Sequence, residues 1–295
     1  MGVKGILLAG GKGTRLAPAT AAVSKHLLPV FDKPLIYYSI ANLMLCGLRD
    51  ILIIARDQDI PHYQSLFGDG SALGIRVSYA VQEKPGGIPE ALLIGEDFLQ
   101  HDDLILALGD NIFHGSGLSV LFRGMGANSQ GAKVLLKRVP DPARFGIANL
   151  SAAGKVISIE EKPTTPQSDA AITGLYFLDN SAIQRAKTLG ASSRGELEIV
   201  DLLNSYLIEG SLEAIELPRG TLWLDTGTVE SLLDAGVYVQ SFEAHTNQLI
   251  GSPEEVAFRS GWITPEEFER LALAIKTSYG DRLLKVVDEK LRSAQ

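Results

Sequence analysis

Short, continuous apolar runs constrain this chain more than any other feature. Gly5-Ile6-Leu7-Leu8-Ala9, Asp50-Ile51-Leu52-Ile53-Ile54 and Leu104-Ile105-Leu106-Ala107-Leu108 are each about five residues long, rich in Ile and Leu, and bounded by turn or charged residues. They do not alternate with polar residues, so both faces of each strand have to be covered. Buried parallel strands meet that demand. Between the first two runs, Pro34 to Gly47 carries apolar residues at helical spacing and ends on a glycine. Strand, helix, strand is the repeating unit of a doubly wound sheet.

The expected fold class is therefore α/β, a Rossmann-like doubly wound mixed sheet that is mostly parallel. From about Gly131 the pattern changes. Lys133–Val139, Gly146–Leu150, Val156–Glu160 and Gly174–Leu178 read as strands with few long helices between them, which extends the parallel core into a mixed sheet. Arg194–Ile208 and Pro265–Ile275 read as helices, the second with Thr264 as N-cap and Pro265 in its first turn. A boundary is expected near residue 240, between a main body (1–240) and a helical C-terminal appendage of the same domain (241–295). Within the body, a first part to about 130 is followed by a second, 131–240.

Composition narrows the classes. The chain has 295 residues, 45% of them hydrophobic, and a formal net charge of -8. A general nucleic-acid binder needs a basic face to displace counterions, so that class is not expected. The one cysteine, Cys46, lies in the apolar run ANLMLCGL and reads as a small buried residue; no internal disulfide and no cysteine-based zinc site can form. The N-terminal apolar stretch is too short for a signal peptide, and no uncharged run approaches membrane-spanning length. A cytoplasmic protein without membrane partners is the expectation.

The first strand runs straight into Gly10-Gly11-Lys12-Gly13-Thr14-Arg15-Leu16. Three glycines in four positions let the backbone turn tightly and bring its amides to an anion, with Lys12 and Arg15 beside it. The P-loop pattern is absent, as is the third glycine of a dinucleotide fingerprint. Lys25 stands among apolar residues just before Pro29, so its amine is expected to point inward, where it needs an anionic partner. Asp110 follows the third apolar strand and should face the cleft at the strand ends. Asp225 likewise precedes a glycine turn. Two such carboxylates could hold a hard cation if the fold brings them together, which spacing alone cannot show.

These segments together resemble the sugar-1-phosphate nucleotidyltransferase family, and within it the short bacterial thymidylyltransferase branch. LAGGKGTRLAPAT spans Leu8–Thr20, and Ser24–Pro29 follows the pattern SKxLLP. Then come GDNIF (109–113), EEKP (160–163), TGLYF (173–177), RGELEI (194–199), WLDTGT (223–228) and SPEEVAFR (252–259). The matches keep the family's order and cover nearly the whole chain.

The resemblance implies Mg²⁺-dependent transfer of a nucleoside monophosphate from dTTP to glucose 1-phosphate or a related hexose 1-phosphate. Another base (UTP, CTP or GTP) and a non-catalytic sugar-nucleotide-binding regulator stay open as alternatives. By the resemblance, Leu8, Gly10, Gly11, Gly13, Thr14, Arg15, His26, Gln82, Gly87 and Asp110 would bind the nucleotide. Asn111, Gly146, Glu161, Lys162, Ile172, Gly174, Tyr176, Arg194 and Trp223 would bind the sugar phosphate. Arg15, Lys25, Asp110, Lys162 and Asp225 would carry catalysis, with Asp110 and Asp225 on Mg²⁺. A homotetramer and a second, regulatory site around Glu255, Val256 and Arg259 are also implied. Three departures stand near the ligand: His26 where the family usually has Gln, Gly87-Ile88-Pro89-Glu90-Ala91 where it has Gly-Leu-Ala-Gln-Ala, and Phe145 where Tyr is usual.

Overall fold

The computed structural model describes residues 2–126 and 130–293. Its main sheet has nine strands. Four are parallel and lie side by side in the order Arg76–Val81, Asp50–Ala55, Val3–Leu8, Asp103–Leu108. In chain order that is third, second, first, fourth. The direction of winding reverses between the first strand and the fourth, and in open α/β sheets the crevice beyond the strand ends at that reversal is where ligands sit.

Ala170–Leu178 adds antiparallel to Asp103–Leu108, and Gly146–Leu150 and Val156–Glu161 follow it outward. Ala132–Arg138 also pairs with Ala170–Leu178, and Leu212–Glu216 pairs with Ala132–Arg138. The sheet is thus mixed beyond residue 131, as the sequence pattern predicts. Ala170–Leu178 is buried along its whole length, four residues longer than the apolar run from Gly174 suggests.

The apolar runs are continuous because each face of the sheet has its own core. One layer joins Leu7, Ile36, Ile40, Ile53, Ile105 and Phe177; the other joins Ile6, Leu52, Leu92, Leu106, Leu203 and Tyr206. The helix Leu35–Leu45 covers the first layer and Ile199–Ile208 the second.

Three expectations need correction. The helix expected from Arg194 begins at Ile199. Gly195 sits at φ 76°, in the left-handed region, and Glu198 is extended, so residues 194–198 form a loop. Cys46 caps the helix Leu35–Leu45 and is half-buried rather than fully enclosed. Residue 240 falls inside the unbroken helix Val229–Thr246. Beyond it, Phe258, Phe268, Tyr279 and Leu283 pack into the same core layer as the first strand and its helix. Pro265–Ala274 starts on a reciprocal cap, in which Thr264 Oγ1 accepts from Glu267 N and the Glu267 carboxylate accepts from Thr264 N. Among the described residues, no helix is long and apolar enough to cross a membrane.

Candidate active site

Leu8 and Leu108 are register partners on the two strands that flank the reversal point. The segments that leave them, Ala9-Gly10-Gly11 and Gly109-Asp110, therefore emerge side by side. They open into a cavity of about 320 Å³ that runs from the glycine loop to the strand Val156–Glu161 and the loop before Ile199.

At one end of the cavity, Gln82 reaches across to the glycine loop. A Cβ at Gly10 would lie 2.1 Å from Gln82 Oε1, so only glycine lets that amide in. Lys25 lies beneath the loop, its chain within 3.3 Å of where a Gly11 Cβ would be. Its amine forms a buried ion pair with Asp110. His26, 2% exposed, is packed into the interior under Gly109, away from the cavity lining. Its Nδ1 is 3.1 Å from Ser24 Oγ, which in turn accepts from the Tyr63 hydroxyl at 2.9 Å. Burial first, and the Lys25 charge second, hold the His26 pKa down to about 3.

The carboxylates meet through a short ribbon. Asn111–His114 pairs antiparallel with Leu222–Asp225, setting Asn111 opposite Asp225. Thr226 closes the join, donating to the Asp110 carbonyl from its amide (3.1 Å) and its hydroxyl (2.9 Å). Asn111 braces the centre of the site. Its Nδ2 donates to Asp110 Oδ1 at 3.0 Å, and its Oδ1 accepts from Gly174 N at 3.0 Å and Trp223 Nε1 at 2.5 Å.

The two carboxyls titrate in opposite directions. Burial would raise Asp110, but Lys25 and then His26, with hydrogen bonds from Lys25 and Asn111, bring it below the ordinary carboxylate range. Asp225 is pushed above that range by burial and then by Asp110, against smaller opposing pulls from Lys25, Arg15 and Arg144. The Arg144 guanidinium is 3.7 Å from it. Lys25 compensates Asp110, while burial and Asp110 leave the Asp225 charge disfavoured despite Lys25, Arg15 and Arg144; a carboxylate pair of this kind suits a hard divalent cation, which completes its shell with phosphate oxygens and water. Among the described residues no group of three or more His, Cys, Asp or Glu side chains could hold a metal by itself.

The far end of the cavity is built from looser charges. Lys162 Nζ is 3.0 Å from Glu161, and Arg194 lies 3.5 Å from Glu161 and 2.6 Å from Glu198. Lys162 adopts φ 44°, rare for a residue with a Cβ. Phe145 packs at 5.1 Å against Trp223, and the Arg144 guanidinium lies over the Phe145 ring, 5.4 Å from its centroid.

Of the nucleotide candidates, Leu8, Gly10, Gly11, Arg15, Gln82, Gly87 and Asp110 line the cavity, while Gly13, Thr14 and His26 lie outside the lining. All nine sugar-phosphate candidates line it: Asn111, Gly146, Glu161, Lys162, Ile172, Gly174, Tyr176, Arg194 and Trp223. Lys25 is behind the wall and acts on the cavity through Asp110. Arg144 and Glu198 also line it and were given no role by sequence reasoning, although Arg144 adjoins Phe145-Gly146 and Glu198 lies within the RGELEI segment. Glu255, Val256 and Arg259 line a separate cavity of about 340 Å³ with Leu45, His114 and Ile250.

A glycine loop and two carboxylates at the reversal point of a doubly wound sheet, facing basic side chains across one cavity, define an enzyme that brings two phosphate compounds together. The chain belongs to the nucleotidyl transferase family, which it matches over residues 4–241. It is 49% identical over 286 residues to a glucose-1-phosphate thymidylyltransferase of Neisseria meningitidis, covering 97% of this chain and 99% of that one. A relative of the same name from Xanthomonas campestris is 50% identical over 281 residues, 95% of each chain. A solved Bacillus anthracis structure, described as a glucose-1-phosphate thymidylyltransferase with sucrose, superposes with a TM-score of 0.73 at 43% identity, covering 80% of this chain and 94% of that one.

Proposed function

We propose that this enzyme joins dTTP and glucose 1-phosphate to give dTDP-glucose and pyrophosphate, with Mg²⁺ held by Asp110 and Asp225. The observation that carries the reading is the pair of carboxylates set between the glycine loop and the Lys162–Arg194 cluster in one cavity. The names of the full-length relatives favour thymidine and glucose as the substrates.

The physical problem is repulsion. Two unit charges ~4 Å apart cost roughly 4 kcal/mol at an effective dielectric near 20, and several such pairs must be offset. Arg15 and the amides of Gly10 and Gly11 receive the triphosphate at one end. Lys25 holds the Asp110 carboxylate ionised and aimed into the cavity. Lys162 and Arg194 exchange their carboxylate partners for the sugar's phosphate at the other end. An oxygen of that phosphate attacks the α-phosphorus, the bond from the α-phosphorus to the bridging oxygen breaks, and pyrophosphate leaves with the electron pair. The nucleophile is already an anion at neutral pH, so no general base is needed and positioning carries most of the rate. Mg²⁺ held by Asp110 and Asp225 would supply charge neutralisation and Lewis acidity at the phosphates.

The test is pyrophosphate release across five nucleoside triphosphates and several hexose 1-phosphates. Highest kcat/KM with dTTP and glucose 1-phosphate is expected, and no turnover with any pair would leave only a binding protein. The same reading takes Glu255, Val256 and Arg259 as part of a regulatory site for a nucleotide sugar, and the assembly as a homotetramer. Inhibition by added dTDP-sugars and sedimentation would check these two points.

A further inference from the structure

Glu90 stands at the start of the helix Glu90–Ile94, where the resemblance leads one to expect glutamine. Its Oε2 accepts from Gln82 Nε2 at 2.6 Å and from Gly86 N at 3.0 Å. A Cβ at Gly86 would fall 2.4 Å from this carboxylate, so the loop is shaped around it. Gln82 is 6% exposed and lines the nucleotide end of the cavity, with Oε1 laid against Gly10.

A primary amide can usually be turned over with little change in shape, exchanging its donor and acceptor. A carboxylate abolishes that freedom because it only accepts. With Glu90 opposite, Gln82 must present its nitrogen there. Oε1 and the remaining N–H are then left for a ligand, in one fixed order. A glutamine at position 90 could accept or donate, so it would leave both orientations of Gln82 open.

We propose that Glu90 is a positioning residue for base selection: it locks the Gln82 amide so that the site reads a uracil-type edge and rejects a cytosine-type edge. A thymine or uracil edge offers the N3–H donor beside the O4 acceptor, which matches Oε1 and the free N–H. Cytosine offers an N3 acceptor beside an amino donor, which matches only the inverted amide. The lock does not separate thymine from uracil, since the C5 methyl is outside its reach. It rests on the proposed thymidylyl transfer, with the base placed against Gln82 as one of the residues expected to bind the nucleotide, and deepens that reading.

A well-made bidentate pair discriminates between bases by roughly 5- to 150-fold. The experiment is kcat/KM for dTTP, UTP and CTP with glucose 1-phosphate, in the wild type, Glu90→Gln and Glu90→Ala, each checked for a native melting profile. Wild type should favour dTTP and UTP over CTP. Glu90→Gln should raise the CTP-to-dTTP ratio by about fivefold or more, mainly through the nucleotide KM, and Glu90→Ala should raise it too. A merely structural Glu90 would lower all three nucleotides together. An unchanged ratio in both variants overturns the lock and leaves the thymidylyl reading intact. A wild type that uses UTP but not dTTP overturns the thymidylyl reading, and the lock is then judged on the CTP-to-UTP ratio. A wild type that prefers CTP overturns both.

Discussion

The two ends of the cavity use charge in different ways. At the nucleotide end, the side chains of Lys25 and Asp110 are only 14% and 12% exposed, and Asn111 braces the aspartate from the other side. At the sugar-phosphate end, Lys162 and Arg194 are 49% and 45% exposed, and Arg194 shares two carboxylates. Buried pairs hold their geometry and cannot be broken cheaply. Exposed pairs contribute little and can be traded for a ligand. On the proposed function, one end is preformed for the chemistry, and the other would exchange partners as substrate arrives.

The largest effects should come from the preformed end. Asp225→Asn should lower turnover by at least roughly 10³-fold, since the cation loses one of two protein carboxylates. Because Asp110 and burial already penalise the Asp225 charge, the variant should melt at the same temperature or higher in EDTA. Asp110→Asn should lose activity as severely but also lose stability, by about 3 kcal/mol, because Lys25 keeps its buried charge and loses the carboxylate it is ion-paired with, the weaker pull of Asp225 remaining. Equal melting of the two variants would show that the two aspartates are not in the unequal positions described.

The exchangeable end predicts a smaller, selective loss. Lys162→Ala should raise the KM for glucose 1-phosphate by roughly 10- to 100-fold, the worth of a charge-assisted hydrogen bond to phosphate, with the nucleotide constant nearly unchanged. Its stability should stay within about 1 kcal/mol of wild type, because the pair with Glu161 is open to water. A larger effect on dTTP than on the sugar phosphate would reverse the assignment of the two ends.

Legibility in the sequence followed the same division. The strands Val3–Leu8, Asp50–Ala55 and Asp103–Leu108 were readable because unbroken apolar runs report burial on both faces. The inward aim of Lys25 was readable from its apolar neighbours. What brings Asp110 to Asp225 was not readable: Asn111–His114 and Leu222–Asp225 are four-residue strands, too short for alternation to signal a pairing so distant in sequence. The loop 194–198 was misread as helix because its acidic residues suit a helix start, while the ion pairs that hold Arg194 outside the helix are tertiary. Glu90 looked like a local substitution, because its partner Gln82 meets it only through the turn at Gly86.

His26 gives the preformed end a pH signature. Its folded pKa near 3 lies below the unfolded value of 6.5, so the folded state refuses a proton that the unfolded chain accepts. The resulting stability is complete above pH 6.5 and is lost as pH falls from there toward 3. Between pH 7 and pH 5 the loss should approach about 2 kcal/mol. Denaturant unfolding at both pH values should show this slope in wild type and a clearly shallower one in His26→Gln. A slope unchanged by the substitution would mean that other groups set the acid sensitivity.

The smallest effect tests the seam between the two ends. Asn111 Oδ1 accepts from Gly174 N on the sugar side and from Trp223 Nε1, while Nδ2 steadies Asp110. Trp223→Phe removes one of these three hydrogen bonds and keeps an aromatic ring against Phe145. Asn111 retains Gly174 as a donor to Oδ1, so its acceptor is not left bare and the cost should be near 1 kcal/mol, about 2 °C in melting temperature. If Asn111 links the two ends, kcat should fall a few-fold while the KM for each substrate stays close to wild type, because both binding surfaces remain and only their mutual alignment loosens. A change confined to the KM of the sugar phosphate would instead assign Trp223 to the exchangeable end alone, and the seam would then run through Asn111 without it.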